Sequence, residues 1–484
     1  MSLSSHKYRL FSAVVDQILS DIIVHKLRLG TTRKPAGQRL TKLRYSVHFI
    51  IQNALSAVRT QQDICVAEIH KRREAYSPSS TSYDPRLSYR ITVEHTYQSL
   101  IDMGYIVQTR SGFFDRETGL TGLTHYRATA KLISLFKQDN LNVLPALLPP
   151  LTSPFPVRVQ QKHGDKKIRL EPLKAKAAAV RRMSNNLEAI NNLLQRHWLD
   201  LEIPDGRDEL AVFVGTWGSD SAIKKIMQWR DDGSRSIRYS SRRLHRIFND
   251  RALSKGGRFY GGWWQLIPKE LRPYILIDGK RTIEIDYSSF HPSILYAQKG
   301  LQPPYDPYVV VVPNDANQNT VAPRSTVKIA FNAMLNASRK LQRAPRDAHT
   351  AMTGIMWPTL QEAILQKHAA IADVFFTGVG STLQKSDSDI AERVLLDLAE
   401  DDVPVLPVHD SFILHHAYAD RLEQSMENAV EKLLGFRPKT ALTKRHSIEQ
   451  DGWLNMDMAA IIAANSNGRD LRLAGFRSLV TNSA

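Results

Sequence analysis

The 484-residue chain holds a single cysteine, Cys65. One thiol cannot close an intramolecular disulfide and cannot build a cysteine-rich zinc site. Such usage suits a reducing, intracellular compartment. Long apolar runs are missing too. The first fifteen residues, MSLSSHKYRLFSAVV, contain no extended hydrophobic segment, and no stretch is long enough to span a bilayer. The expected location is cytoplasmic, with no membrane partner. No internal repeat is visible. The lack of low-complexity tails argues against a disordered nucleic-acid chaperone. Acidic residues are in short supply: 48 Asp and Glu face 65 Lys and Arg, for a net charge of +17. A polyanionic partner follows. The length allows two or three domains with sizeable cores, and oligomeric state is not readable.

What is present is organised around residues 281–297, RTIEIDYSSFHPSILYA. The β-branched run before Asp286 predicts a strand. Pro292 fits the first turn of a following helix. Asp286 therefore falls where a core strand gives way to a loop and helix, a place suited to holding a metal. Residues 403–414, VPVLPVHDSFIL, set a second aspartate between apolar runs. Two strands meeting at His409-Asp410 predict a hairpin. Burying Asp410 unpartnered costs several kcal/mol, on the order of other unpaired buried charges, and a divalent cation shared with Asp286 removes that cost. Between them, residues 324–336 (RSTVKIAFNAMLN) predict a helix after Pro323. Arg324, Lys328, Asn332 and Asn336 share one face, and Val327, Phe331 and Met334 lie opposite. Two cations one turn apart suit a polyphosphate, arginine as a fork and lysine as a point charge.

Two aspartates able to share metals, with a cationic helix between them, suit nucleotidyl transfer. Their order resembles motifs A, B and C of template-dependent polymerases with a right-hand palm. VHDSF resembles motif C of single-subunit phage and mitochondrial RNA polymerases, and RSTVK resembles motif B of that group and of family A DNA polymerases. DYSSFHPSI is closer to motif A of family B. The mixture is most similar to transposon- and virus-borne polymerases related to superfamily A, over roughly residues 250 to 435. The resemblance implies an α+β right-hand fold of palm, fingers and thumb. It implies a mobile-element or virus-related DNA polymerase, with DNA template, primer and nucleoside triphosphates as partners. Two Mg²⁺ ions, with Mn²⁺ as a substitute, would be held by Asp286, Asp410 and the Tyr287 carbonyl. Lys328 and Arg324 would face the triphosphate together with Asn332, and His409 would orient the hairpin or meet the primer end. His291 stands where family B carries its gate tyrosine, and its bulk would favour deoxynucleotides. Two alternatives stay open: a single-subunit RNA polymerase, and a non-enzymatic replication initiator. No 3′-5′ exonuclease acidic set is visible in the N-terminal part.

The rest of the chain divides by composition. Residues 1–140 predict helices over 45–58 and 90–105, strands near 106–108 and 123–127, and a final helix over 128–136. The order resembles a winged helix, in which Arg90, Thr92, His95 and Gln98 would enter a major groove and Arg110, Arg116 and Arg127 would meet phosphates. A helical accessory domain is the alternative. Residues 141–176 are proline-rich and then basic, and read as a linker or as an ordered loop packed on the palm. Residues 177–250 form a helical thumb-like region, beginning with an amphipathic helix over 183–198 and followed by a β-like segment over 211–217. From 224 to 258 the charge is one-sided, with interleaved aromatics, which suits a nucleic-acid groove or a solvated face. Arg242, Arg243 and Arg246 belong to this run. The glycine-rich SKGGRFYGGWWQ places Arg258 as in the loop before motif A of phage-type enzymes. Palm and fingers span 251–440, with Gln384 on a helix similar to the one before motif C in family A. Residues 441–484 are a C-terminal extension.

Overall fold

The computed structural model describes residues 3–28, 35–56, 67–77, 84, 86–114, 121–136, 156–163, 167–172, 178–201, 239, 241–313, 319–345, 355–438, 440–445 and 473–474. They form a mixed α+β structure with two hydrophobic cores. Arg116, Cys65 and the segment 211–217 lie outside the described residues. So do most of the basic run before Tyr239 and nearly all of the C-terminal extension after Arg445. Among the described residues no helix is long and apolar enough to cross a membrane.

The first core joins helices Leu3–Arg28 and Gly37–Ser56 to a small antiparallel sheet. Val47, Ile50, Ile51, Ala54 and Leu55 recur at three- and four-residue spacing and are all buried. The next helix begins as a wide i→i+5 turn over Arg90–Tyr97 and continues as Gln98–Asp102. Gly104, at φ +71°, ends it, just inside the predicted bound of 105. Strands β1 (Ala67–Ile69), β2 (Ile106–Arg110) and β5 (Thr124–Ala128) lie in the order β1-β5-β2. The short pair β3 (Phe113–Phe114) and β4 (Thr121–Gly122) extends the hairpin. Helix Ala130–Ser134 follows, capped by the Thr129 hydroxyl. The predicted order of elements is present, with Leu3–Arg28 and β1 unforeseen. Thr92 corrects the predicted groove face: it is fully buried, its hydroxyl 2.9 Å from Ser46 Oγ.

The proline-rich stretch is not all linker. β6 (Val157–His163) and β7 (Lys167–Pro172) form an antiparallel hairpin, with β6 parallel to β9 (His245–Phe248). The crowded prolines end at Pro156, before the strand, and the next one, Pro172, falls at the last position of β7, so the ladder between them is free to form, and Val157 and Val159 alternate inward. Nor does a domain boundary fall at 250. β9 pairs with β10 (Gly256–Tyr260) across it, and β8 (Leu199–Leu201) joins the central sheet. Helix Ala178–Arg196 buries Met183, Leu187, Ile190 and Leu194 in that same core.

The central sheet runs β15 (Leu406–Val408), β16 (Ser411–His415), β12 (Lys280–Tyr287), β11 (Ile275–Ile277), β8, with β17 (Thr440–Arg445) also on β12. β11 (Ile275–Ile277) turns into β12 (Lys280–Tyr287) through Asp278-Gly279, both at positive φ, a favoured two-residue hairpin turn. A separate pair, β13 (Val311–Pro313) with β14 (Asn319–Val321), leads into helix Arg324–Asn336. Helix Gly380–Glu400 then leads to the hairpin β15 (Leu406–Val408) and β16 (Ser411–His415).

Candidate active site

Strand alternation sorts β12 into two faces. Ile283, Ile285 and Tyr287 point one way, and Thr282, Glu284 and Asp286 the other. Asp286 pairs with Ser411 on β16, one residue beyond Asp410 in the two-residue loop. The two predicted aspartates are therefore cross-strand neighbours. Both loops hold non-glycine residues in the left-handed region, Ser289 at φ +51° and His409 at φ +60°. Such conformations are costly and cluster at functional sites. Ser289 starts helix Phe290–Gln298, and Pro292 is buried in its first turn.

Asp286 is the electrostatically stressed group. Burial, the charge of Asp410 and the charge of Glu284 push its carboxyl up to about 7, although Lys328 and the Tyr287 backbone N–H pull it down. Its Oδ1 is buried with no hydrogen-bond partner among the described residues. Tyr287 itself is a core residue. Its ring stacks on Phe290 at 4.1 Å and its hydroxyl donates to the Met426 carbonyl at 2.9 Å, so only its main-chain carbonyl is a candidate ligand.

Helix Arg324–Asn336 lies as predicted. Val327, Phe331 and Met334 are buried, Arg324, Lys328 and Asn336 are exposed, and Asn332 is half-buried. Arg324 Nε donates to Asp306 Oδ2 at 2.7 Å. Arg324 and Lys328 sit 5.1 Å and 6.0 Å from the centre of the Tyr308 ring. Burial pushes the Tyr308 hydroxyl up, Arg324 opposes it, and the charges of Asp410, Asp306 and Asp286 add to the rise. Tyr308 thus lies under the cationic helix and within the fields of both aspartates.

His291 and Arg258, predicted separately, are brought together by a carboxylate that sequence reasoning missed. Asp387, on helix Gly380–Glu400, accepts from Arg258 Nη2 at 2.5 Å and lies 3.2 Å from His291 Nε2. Glu284 was missed as well. It accepts from Ser411 Oγ at 2.6 Å and from Arg272 Nη1 at 3.4 Å. Its position two residues before Asp286 on one strand was the available signal. His409 is exposed at the turn with its ring 6.1 Å from that of Tyr260, so it is no core histidine. Gln384 is half-buried on the helix that carries Asp387.

The predicted nucleic-acid-binding arginines need correction. Arg242 and Arg246 are fully buried. Arg242 Nη1 donates to the His197 carbonyl at 2.5 Å. Arg246 donates to the Gly257 carbonyl, Ser388 Oγ, Asp389 and Glu392. Arg243 is tied to Glu188 at 2.5 Å. Leu244, Arg246 and Phe248 alternate inward, a period that was legible beneath the charge. Replacing Arg246 with Ala is expected to cost about 3–5 kcal/mol in urea unfolding, because it leaves carboxylates without their partner. DNA affinity per folded molecule should not change.

Among the described residues no group of three or more His, Cys, Asp or Glu side chains converges to hold a metal ion. The donor set on offer is two carboxylates and one main-chain carbonyl. The orphaned Oδ1 and the raised carboxyl of Asp286 fit a divalent cation, which prefers hard oxygen donors and keeps several waters of its own. No family model matches the chain, and no curated protein matches it significantly.

Proposed function

We propose that the chain is a template-directed nucleotidyltransferase of the right-hand type, a DNA polymerase that extends a primer 3′-hydroxyl with deoxynucleoside triphosphates. One observation carries this reading. Asp286, with an unpartnered buried oxygen, pairs across the β12–β16 ladder with Ser411, the residue after Asp410, and lies within the fields of Asp410 and Lys328. A strand-end carboxylate, a hairpin-turn carboxylate and a cationic helix suit a triphosphate whose α-phosphorus is attacked.

Asp286, Asp410 and the Tyr287 carbonyl would hold Mg²⁺, or Mn²⁺ in its place. When bound, the ions supply a hydroxyl of lowered pKa and polarised phosphoryl oxygens. The residues of the chain do the rest. Lys328 and Arg324 meet the β- and γ-phosphates as pyrophosphate departs, with Asn332 one turn further along the same face. His291 stands at the sugar, and His409 at the turn meets the primer end. The N-terminal unit is read as a winged-helix module that docks on duplex DNA. Arg90 and Gln98 are exposed on its helix, Arg110 and Arg127 are exposed on its strands, and β3 and β4 form the wing.

The experiment is primer extension on a DNA primer–template with Mg²⁺, with dNTPs and NTPs supplied in parallel. Extension with dNTPs is the expected result. Extension with NTPs alone would make the chain an RNA polymerase. Tight DNA binding without extension would point to a replication initiator.

A further inference from the structure

The Asp387 cluster is built more firmly than a nucleotide-binding surface requires. Asp387 is 1% exposed. It accepts from Arg258 through both Nε and Nη2, and it shares Oδ2 with His291. Its two partners come from different parts of the fold, Arg258 from β10 and His291 from the helix after Asp286. Each keeps about a fifth of its side chain open, at 18% and 20%.

The backbone supports this arrangement. β10 bulges between Gly256 and Arg258, with Gly256 at φ +76° and Gly257 at φ +90°. A Cβ at Gly257 would lie 2.7 Å from the Phe248 ring and 2.9 Å from Ser388 Oγ. Only glycine lets the strand approach the helix closely enough for Arg258 to reach Asp387. Ser388, the next residue, donates to the Gly256 carbonyl and accepts from Arg246. Burial pulls the Arg258 guanidinium down, but the hydrogen bonds and charge of Asp387, with help from Asp410, hold it above its ordinary value. The cluster therefore reaches the field of the hairpin aspartate.

We infer that Asp387 is the positioning residue for sugar selection, clamping the His291 ring in the one orientation that excludes a ribose 2′-hydroxyl. This rests on the polymerase reading above. An unclamped histidine samples several rotamers, and a ring that turns aside no longer blocks the sugar. The carboxylate removes that freedom, and through Arg258 it fixes the strand beside the same opening. Asp387 acts through His291, not on the nucleotide.

The test is steady-state extension by the full chain with dNTPs and NTPs, comparing the parent with Asp387→Asn, His291→Ala and the double variant. An asparagine presents a donor on one side where the carboxylate accepted on both, so one partner is released. The preference for deoxynucleotides in kcat/KM should fall roughly tenfold in Asp387→Asn. It should fall by a similar factor in His291→Ala, and no further in the double variant. If the asparagine chain does not fold, Arg258→Met with Asp387→Met removes both charges together, leaves neither unpaired, and should show the same loss. Equal loss of rate with both sugars, at an unchanged ratio, would overturn the inference and reduce Asp387 to packing. A parent that extends without preferring dNTPs would overturn it too. A parent that extends with neither would show instead that the polymerase reading had failed, and the clamp with it.

Discussion

Asp410→Asn should lower primer extension by on the order of a thousandfold while leaving DNA affinity within a few-fold. The substitution keeps the size of the side chain and the two-residue loop, so the hairpin between β15 and β16 is retained. What it removes is the hairpin-turn charge that Asp286 feels from beside its cross-strand partner Ser411. An amide oxygen is a much poorer ligand for a hard cation than a carboxylate. The loss should therefore appear in kcat, with duplex affinity by filter binding as the control, because the basic groups that would meet phosphates lie elsewhere. If the asparagine chain extends primers as the parent does, Asp410 has no catalytic role and the proposed site is the wrong one.

Asp286→Asn should behave in the opposite way in stability. Folding pushes this carboxyl up to about 7 from an ordinary 3.8. A group whose folded value lies above its unfolded value binds its proton more tightly in the folded state. Its contribution to stability is complete below the unfolded value and is lost as pH rises through the folded one. Without divalent metal, the parent should weaken between about pH 4 and pH 7, whereas the asparagine chain stays neutral and keeps its stability. Above that range the variant should be more stable by about 2–4 kcal/mol, measured by urea unfolding with EDTA. Adding Mg²⁺ should raise the stability of the parent and leave the variant nearly unmoved. A parent and variant with the same pH slope would show that folding does not raise the Asp286 carboxyl, and a parent unmoved by Mg²⁺ would show that the site holds no cation.

Local pattern predicted the pieces of this site. The strand before Asp286, the turn at His409-Asp410 and the helix from Arg324 to Asn336 all stand where periodicity and punctuation put them. They are short-range features, fixed by alternation, by Pro323 and Pro292, and by apolar flanks. The pattern did not supply partners across the chain. Asp387 meets His291 from 96 residues away and Arg258 from 129. Nothing at either end marks the pairing, because a buried carboxylate and a helix-surface carboxylate are spelled alike. Arg242 and Arg246 failed for the same reason. A run of positive charge reads as surface until the acids that neutralise it, Asp389 and Glu392 for Arg246, arrive from another helix. The hairpin of β6 and β7 was hidden by the prolines crowded just before it and by Pro172 at its far end.

The position of β12 also divides the labour of adaptation. That strand is paired on both edges, by β16 on one side and by β17 and β11 on the other. A change there would disturb two ladders at once, so its sequence has little room to drift. The stripe of Arg324, Lys328 and Asn336 on the neighbouring helix is exposed, and its two cations reach the core only at its rim, over the Tyr308 ring. Under the polymerase reading, substitutions along that stripe would retune which nucleotide is held at less cost to the fold than changes in β12. A lineage with that chemistry would be free to explore new substrates on one helix while the strand-borne aspartate stays fixed.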